Sequence, residues 1–263
     1  MGIVNVTPDS FSDGGAYDTS SGQLHAALHH CEQLLKDGAD MLDIGGESSR
    51  PGAQPVPLAQ ELARVLPVVR HAVTLGVPIS VDTYKPQVMQ AVLDLGADII
   101  NDIWALRQGD AAEVVARHSS CGVCLMHMIG EPSTMQAAPL RSQAVAEALS
   151  FLEQRVEYLR ELEVNLSRIV LDPGIGFGKT AAQNFALLAQ QTQLLSLGLP
   201  LLVGWSRKSA LATLGDAAMQ ERLIPSVAAA LLAVERGARI VRVHDVRQTV
   251  QALAVWMAAI SIE

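Results

Sequence analysis

The sequence has few cysteines and few aromatic residues, and it contains no long hydrophobic segment. Its three cysteines are an odd number, which excludes a complete disulfide framework and favours a reducing compartment. No apolar run approaches the ~20 residues that cross a membrane, and no basic start followed by an apolar middle marks a signal peptide. We therefore expect a cytoplasmic protein with no membrane partner.

Positive charge is also scarce. The 19 Lys and Arg residues are outnumbered by 27 Asp and Glu, which gives a formal net charge of -8. The basic patch typical of nucleic-acid binding is not indicated, and we expect no nucleic-acid partner. If the ligand is an anion, the cations that bind it must be clustered locally.

Aliphatic residues dominate instead, in apolar runs that alternate with helical patterns along all 263 residues. The predicted strands are 3–6, 41–44, 78–82, 98–103, 123–128, 169–172, 201–204 and 240–244. The predicted helices are 23–36, 58–75, 85–95, 110–119, 143–163, 181–197, 220–236 and 246–260. Eight such units favour an α/β fold, a (β/α)8 TIM barrel formed by one domain over residues 1–263. A doubly wound open sheet, which shows the same alternation, is the alternative.

Polar side chains stand at the ends of the predicted strands. They are Asn5, Asp43, Asp82, Asn101, His127, Asp172, Ser206, Arg242 and His244. In a TIM barrel these positions meet at one end, where active sites lie, although some are expected to serve only as helix caps or solvated loop residues. Asn101 and Asp102 are adjacent, so only one of them can face the interior.

Two opposite chemistries are expected at that end. Four groups that carry or can acquire positive charge predict an anionic ligand, a phosphate or pyrophosphate: Arg50, Lys208, Arg242 and His244. Asp82, Asp172 and Asn101 would accept hydrogen bonds from a heterocycle rich in N–H groups.

Three local motifs favour ordinary structural roles. Residues 169–180 end in Gly178-Lys179-Thr180 like a P-loop, but Pro173 stands where the first glycine belongs and has no N–H for a phosphate. The single Cys121-x-x-Cys124 pair excludes a zinc ribbon and favours buried thiols over a redox motif. His25 and His29 have metal-ligand spacing, but no Glu lies between them, so a plain helix face is favoured.

Seven motifs in order, from one end of the chain to the other, resemble those of the dihydropteroate synthase family. They are 5–15 (NVTPDSFSDGG), 43–52 (DIGGESSRPG), 80–83 (SVDT), 101–103 (NDI), 171–174 (LDPG), 206–209 (SRKS) and 242–245 (RVHD). The resemblance implies a (β/α)8 barrel and a transferase of folate biosynthesis. It implies the joining of 6-hydroxymethyl-7,8-dihydropterin diphosphate to 4-aminobenzoate, which yields 7,8-dihydropteroate and pyrophosphate by a dissociative, Mg2+-assisted mechanism.

The resemblance also implies roles for individual residues. The pterin would be held by Asp82, Asn101, Asp172 and Lys208, with Met126, Ile103 and Phe177 packed near it. The diphosphate would be held by Asn5, Arg50, Arg242 and His244, with Asn5 a ligand of Mg2+. The aminobenzoate pocket would include Phe11, Ser49, Pro51, Ser206 and Lys208. The groups expected to act in catalysis are Asp82, Asp172, Lys208, Arg242 and His244.

The resemblance further implies a homodimer formed through outer helices, and sensitivity to sulfonamides, since Phe11 and Pro51 match the family's motifs. Ser49 stands where the family usually has Thr, which predicts a slightly looser pocket. Relatives usually carry a small hairpin ahead of the first strand, whereas Met1 is already at that strand. Either the natural start lies upstream of Met1 or the barrel lacks this hairpin, and we expect reduced stability for a chain that starts at Met1. Two other functions stay open, a pterin-binding methyl carrier or methyltransferase module and a non-catalytic paralogue.

Overall fold

A computed structural model describes residues 1–7, 19–48, 52–130, 143–215 and 222–261. The predicted alternation of strands and helices is confirmed. The strands are β1 Gly2–Asn5, β2 Leu42–Gly45, β3 Ile79–Asp82, β4 Ile99–Asp102, β5 Gly122–Met126, β6 Ile169–Asp172, β7 Leu201–Val203 and β8 Ala238–Val241. The helices are α1 Thr19–Lys36, α2 Leu58–Ala72, α3 Pro86–Asp94, α4 Ala111–Arg117, α5 Ala144–Glu161, α6 Ala181–Ala189, α7 Leu223–Glu235 and α8 Val246–Ile260.

The eight strands form one sheet in sequence order, and every neighbouring pair is parallel. Beyond the eighth strand, Gly2 forms a parallel bridge with Val243. Ile3 N donates to Val243 O at 3.1 Å, Val243 N donates to Met1 O at 3.0 Å, and the terminal amine of Met1 donates to Val241 O at 3.1 Å. Backbone hydrogen bonds thus link the first strand to the segment at the end of the last.

The two faces of the sheet differ in chemistry because side chains alternate along each strand. On β2, Leu42 and Ile44 are buried in the large apolar cluster that includes the helices, whereas Asp43 between them makes polar contacts across the other face. Ser80 and Asn101 share that polar face through their bonds to Asp43. The helices therefore cover an aliphatic face, and the polar residues lie on the opposite face together with a small apolar cluster of Met1, Cys124 and Leu202.

Left-handed glycines end several helices as predicted, because a residue without Cβ adopts positive φ at little cost. Gly38 and Gly96 follow α1 and α3 with φ values of 97° and 98°. α6 begins at a capping box in which Thr180 accepts from Gln183 N and the Gln183 side chain accepts from Thr180 N.

Several predicted boundaries differ from the observed ones by two or more residues: helix 23–36 begins at Thr19, helix 58–75 ends at Ala72, and strand 123–128 ends at Met126. Two further differences have structural consequences. The segment 181–197 is not one helix, because α6 ends at Ala189 and a 3-10 helix, Gln191–Leu197, follows. The buried Gln191 side chain donates to Ala233 O and Arg236 O at the end of α7, a tertiary anchor that turns the chain there. The last strand ends at Val241 rather than at residue 244, so Arg242 and His244 lie just beyond it.

No helix among the described residues is long and apolar enough to cross a membrane. The three cysteines are buried free thiols, which confirms the interpretation of Cys121 and Cys124.

Candidate active site

A carboxylate, Asp43, lies at the centre of the polar network at the carboxyl end of the sheet. It is fully buried and accepts from Ser80 Oγ at 2.6 Å and from Asn101 Nδ2 at 3.2 Å. Arg242 Nε donates to the same carboxylate at 2.5 Å, while Arg242 Nη2 donates to Asp82 at 2.9 Å. The network joins β2, β3 and β4 to the residue after β8, and the Asp43 side chain sets the position of Asn101 and Arg242.

Asp82 and Asp172 are carboxyl groups in low-dielectric surroundings. Burial raises the pKa of Asp82 to about 7, against the opposing charge of Arg242. Burial also raises the pKa of Asp172, while the N–H of Gly174, which donates to its Oδ1 at 2.7 Å, and the Lys208 and Lys179 ammonium groups oppose that rise. A ligand that donates N–H groups to these carboxyls would lower their pKa values and so stabilise the charged form.

The cationic side chains are held by specific partners. Ser206 Oγ lies 2.9 Å from His244 Nδ1 and accepts from His244 N at 3.1 Å, which positions the imidazole beside the segment that follows β7. Lys208 Nζ lies 4.3 Å from the centroid of the Phe177 ring, a cation–π distance. The end of β7 is thereby tied to the end of β8 and to the loop after β6.

An apolar cluster lies beside these polar groups. It contains Ile103, Met126, Met128 and Phe177, with Tyr84 and Trp104 packed against it. The three apolar residues predicted near a flat ring, Ile103, Met126 and Phe177, are thus brought together. Such a surface next to buried carboxylates is suited to a planar ring with a polar edge.

Asp102 and Asn101 point to opposite faces, as predicted. Asp102 accepts from Trp104 N at 2.8 Å and Leu106 N at 2.7 Å, and burial raises its pKa to about 7. Arg155 Nε donates to Ala105 O at 2.9 Å on the same turn. Asp102 therefore shapes the turn that carries Ile103, and it does not share the face of Asn101.

Lys179, considered in the sequence only as part of a P-loop, is almost fully buried. Its Nζ donates to Gly174 O at 2.8 Å, Phe177 O at 3.1 Å and His127 O at 3.2 Å. The ammonium group therefore serves backbone carbonyls, which argues against the P-loop role. The sequence offered one signal for this role, since Lys179 follows three closely spaced glycines. Glycines have no side chain to shield the backbone carbonyls of a loop from a cation.

A second ionic cluster was not predicted. Lys85 Nζ pairs with Glu47 and, at 2.5 Å, with Glu61, while Tyr84 OH donates to Glu47 at 2.9 Å and Thr83 Oγ1 to Glu61 at 2.7 Å. Glu47 also accepts from the N–H of residue 56 at 3.0 Å, so it joins the two ends of the loop after β2. A cavity of about 20 Å3, enough for a water molecule, lies beside this cluster. Glu61 stands four, seven and eight positions before the buried Val65, Val68 and Val69, so the helical spacing of α2 was the signal that places it on the buried face.

Four predicted site residues, Phe11, Ser49, Arg50 and Pro51, lie outside the described residues. Asn5 is the last residue of β1, at the same end of the sheet as Asp82 and Asp172. Within the described ranges, no group of three or more His, Cys, Asp or Glu side chains is arranged to hold a metal ion, and this includes His25 and His29.

The comparison with known proteins agrees with this geometry. The model of the pterin binding enzyme family matches residues 1–244. The dihydropteroate synthase of Neisseria meningitidis serogroup B is 50% identical over 263 residues, which covers 98% of this chain and 91% of that protein. The chain belongs to the dihydropteroate synthase family. It is accordingly a transferase, and the resemblance drawn from the seven motifs is confirmed.

Solved dihydropteroate synthases have the same fold as this chain. The enzyme of Xanthomonas albilineans with 4-aminobenzoic acid is 48% identical, with a TM-score of 0.90 over 98% of this chain and 92% of that one. The enzyme of Burkholderia cenocepacia complexed with 7,8-dihydropteroate is 48% identical, with a TM-score of 0.89 over 100% of this chain and 91% of that one. Both comparisons cover almost the full length of each protein.

Proposed function

We propose that this protein joins 6-hydroxymethyl-7,8-dihydropterin diphosphate to 4-aminobenzoate, forming 7,8-dihydropteroate and releasing pyrophosphate. The observation that carries the proposal is the meeting of the acceptors Asp82, Asn101 and Asp172 with the cation Arg242 at one end of the sheet. The names of the relatives and the 4-aminobenzoic acid and 7,8-dihydropteroate bound by two of them support the choice of substrates.

The pterin side of the site follows from the hydrogen-bond inventory. Asn101 uses its Nδ2 on Asp43, so its Oδ1 is the atom that would accept a ring N–H. The carboxylates of Asp82 and Asp172 would accept the other ring donors, each bond worth about 1.5–3 kcal/mol because the acceptor is charged. Phe177 would pack against the ring face while Lys208 donates to a ring acceptor from the same side of the site.

The diphosphate would be bound by Arg242 and His244, together with Arg50. Arg242 donates from Nε and Nη2 to the carboxylates of Asp43 and Asp82. The guanidinium group has further N–H donors that would bind a phosphate oxygen. Ser206 Oγ accepts the His244 backbone N–H, so its hydroxyl proton can go to Nδ1 and leave the imidazole proton on Nε2. We assign that Nε2–H to the departing diphosphate.

The residues present fit a Mg2+ ion held mostly by substrate. The described residues offer no cage of carboxylates, and Asp43 and Asp82 are already paired with Arg242. Mg2+ often uses one or two protein oxygens plus phosphates, so Asn5 Oδ1 would be its ligand from the chain. When bound, the ion would polarise the phosphate oxygens and stabilise their negative charge.

In the proposed dissociative reaction, the bond between the pterin methylene carbon and the diphosphate oxygen breaks, and the electron pair leaves with the diphosphate. Arg242 and His244 stabilise that charge, while Asp172 and Asp82 stabilise the cation that remains on the pterin. The aniline nitrogen then donates its electron pair to the methylene carbon and releases a proton to water. The described chain supplies no side chain placed as a covalent nucleophile.

The aminobenzoate pocket is proposed to combine Ser206 and Lys208 with Phe11, Ser49 and Pro51. Because a sulfonamide shares the aniline group and the ring of 4-aminobenzoate, it should compete at this pocket. We also propose a closed (β/α)8 barrel in a cytoplasmic protein, and the hydrogen bonds between Met1–Ile3 and the end of β8 support closure.

We further propose a homodimer through α7 and α8. These two helices carry six of the nine large exposed apolar side chains among the described residues: Ile224, Leu232, Val250, Val255, Met257 and Ile260. Apolar surface of this kind is usually covered by a partner.

The function is tested by mass-spectrometric detection of 7,8-dihydropteroate from both substrates and Mg2+. Asp172→Asn should reduce the rate at least about a hundredfold, because a neutral amide cannot stabilise the pterin cation. Product from the wild type with equal turnover by Asp172→Asn would contradict the assigned role, and no product from the wild type would contradict the function.

A further inference from the structure

Lys179 is a buried ammonium group that the proposed chemistry does not use. It is 2% exposed, and its three bonds go to carbonyls of two different segments. Gly174 and Phe177 belong to the loop after β6, whereas His127 follows β5. The ammonium group therefore ties the loop to the neighbouring strand end.

The buried Asn184 also holds this loop, since its Oδ1 accepts from Gly176 N at 2.7 Å and its Nδ2 donates to Lys179 O at 3.3 Å. Gly174, Gly176 and Gly178 all have positive φ, and a Cβ on Gly174 would lie 1.9 Å from His127 O. The loop begins at Asp172, whose Oδ1 accepts Gly174 N, and it carries Phe177 into the apolar cluster. Asp172 itself ends β6, so loss of the Lys179 contacts would act on the loop backbone at Gly174, whose N–H bonds to Asp172, and at Phe177.

Lys179 also acts through its charge. Burial lowers its pKa to about 7, and the Asp172 carboxylate opposes that change. In return, Lys208 and Lys179 both lower the pKa of Asp172. Arg242 also lowers the pKa of Asp172, while burial and the Asp172 charge raise the pKa of the Cys124 thiol. His127 has a pKa lowered to about 3 by burial and by Lys179, so it is neutral.

We propose that Lys179 is a positioning residue for pterin binding, which holds the loop that carries Phe177 and supplies positive charge near Asp172. This role rests on the proposed function, because it assumes that Asp172 binds the pterin. The two parts of the role are separable, since hydrogen bonding and charge can be removed independently.

The test measures the Kd of 6-hydroxymethyl-7,8-dihydropterin by calorimetry between pH 4 and pH 8. Lys179→Met removes the hydrogen bonds and the charge, and Lys179→Gln keeps a donor but not the charge. Lys36→Met is the control, because Lys36 is an exposed lysine at the end of α1 and its loss changes the net charge equally. Melting temperatures are recorded for all variants.

At pH 7, Lys179→Met should weaken binding at least about tenfold, with partial recovery in Lys179→Gln. Both should move the acid-side loss of binding to higher pH by about one unit, because removal of a nearby cation raises the pKa of Asp172. The Lys36→Met profile should match the wild type. If Lys179→Met does not fold, the affinity and pH profile of Lys179→Gln decide the question.

The inference would be overturned if the Lys179 variants bound the pterin with wild-type affinity and lost binding at the same acid pH as the wild type. Weaker binding with no change in the pH at which binding is lost would also overturn it, because that result would indicate a purely structural role for Lys179. An equal shift in Lys36→Met would also overturn it. Failure of the wild-type protein to bind the pterin at any pH would contradict the proposed function itself.

Discussion

At the scale of single residues, the buried carboxylate of Asp43 organises the polar end of the sheet. It accepts bonds from Ser80, Asn101 and Arg242, so one side chain orients a predicted pterin acceptor and a predicted diphosphate donor. The sequence indicates Asp43 as a polar residue at the end of a strand, but not this role. Its three partners come from segments up to 199 positions away, and no local pattern encodes such contacts.

Asp43→Asn should destabilise the protein by about 3 kcal/mol, because it leaves Arg242 without its buried partner. Urea unfolding measures the loss. Asp245→Asn is the matched control: Asp245 pairs with Arg207, whose side chain is 42% exposed, and exposed pairs contribute about 1 kcal/mol or less. Equal, small losses in the two variants would contradict the role of Asp43.

Asp102 should make stability depend on pH. Its pKa of about 7 in the folded protein lies above the value of ~3.9 in an unfolded chain, so the folded state holds the proton more tightly. The stability that this proton provides is complete below about pH 4 and is lost as pH rises through 7. Relative to Asp102→Asn, the wild type should therefore lose up to about 1.4 kcal/mol per pH unit in this window. If the free energies of unfolding of the two proteins changed in parallel with pH, the predicted contribution of Asp102 would be contradicted.

At the scale of elements, the loop after β6 shows which features a sequence can and cannot reveal. Pro173 correctly argued against a phosphate-binding loop. The close approach of His127 O, which would lie 1.9 Å from a Cβ on Gly174, depends on the packing of β5 against β6. Likewise, the break after α6 depends on Gln191 reaching the end of α7, so helical periodicity missed it.

Gly174→Ala should abolish pterin binding and lower the free energy of unfolding several times more than an ordinary glycine replacement does. The new Cβ would clash with His127 O, and the φ of +69° is unfavourable for alanine. Gly198→Ala is the control, since Gly198 has the same φ with no heavy atom within 4 Å of the added Cβ. That control should lose only about 1 kcal/mol. Equal melting temperatures of the two variants would show that the close approach to His127 does not matter.

At the scale of the whole molecule, alternation and spacing predicted all eight strand–helix units, because each unit buries its own aliphatic face. The end of the sheet that carries the site was also predictable, since polar residues follow the strands. The ionic cluster of Lys85 with Glu47 and Glu61 could not be predicted, because it forms only when α2 packs beside the loops after β2 and β3.

The proposed homodimer predicts that Val255→Glu on α8 shifts the protein towards monomers, because Val255 is 72% exposed and a charge there would be buried at the interface. Sedimentation analysis checks the mass of each variant. Leu166→Glu, an exposed apolar site in the turn that precedes β6, should leave the mass unchanged. A monomeric wild-type protein would contradict the dimer.

Release of pyrophosphate tests the central claim most directly. It is measured with both substrates and Mg2+, and again without 4-aminobenzoate, with dihydropteroate quantified in parallel. We expect pyrophosphate and dihydropteroate in equal amounts when both substrates are present, and a loss of both in Asp172→Asn. With both substrates present, no pyrophosphate above background, or pyrophosphate without dihydropteroate, would contradict the assignment.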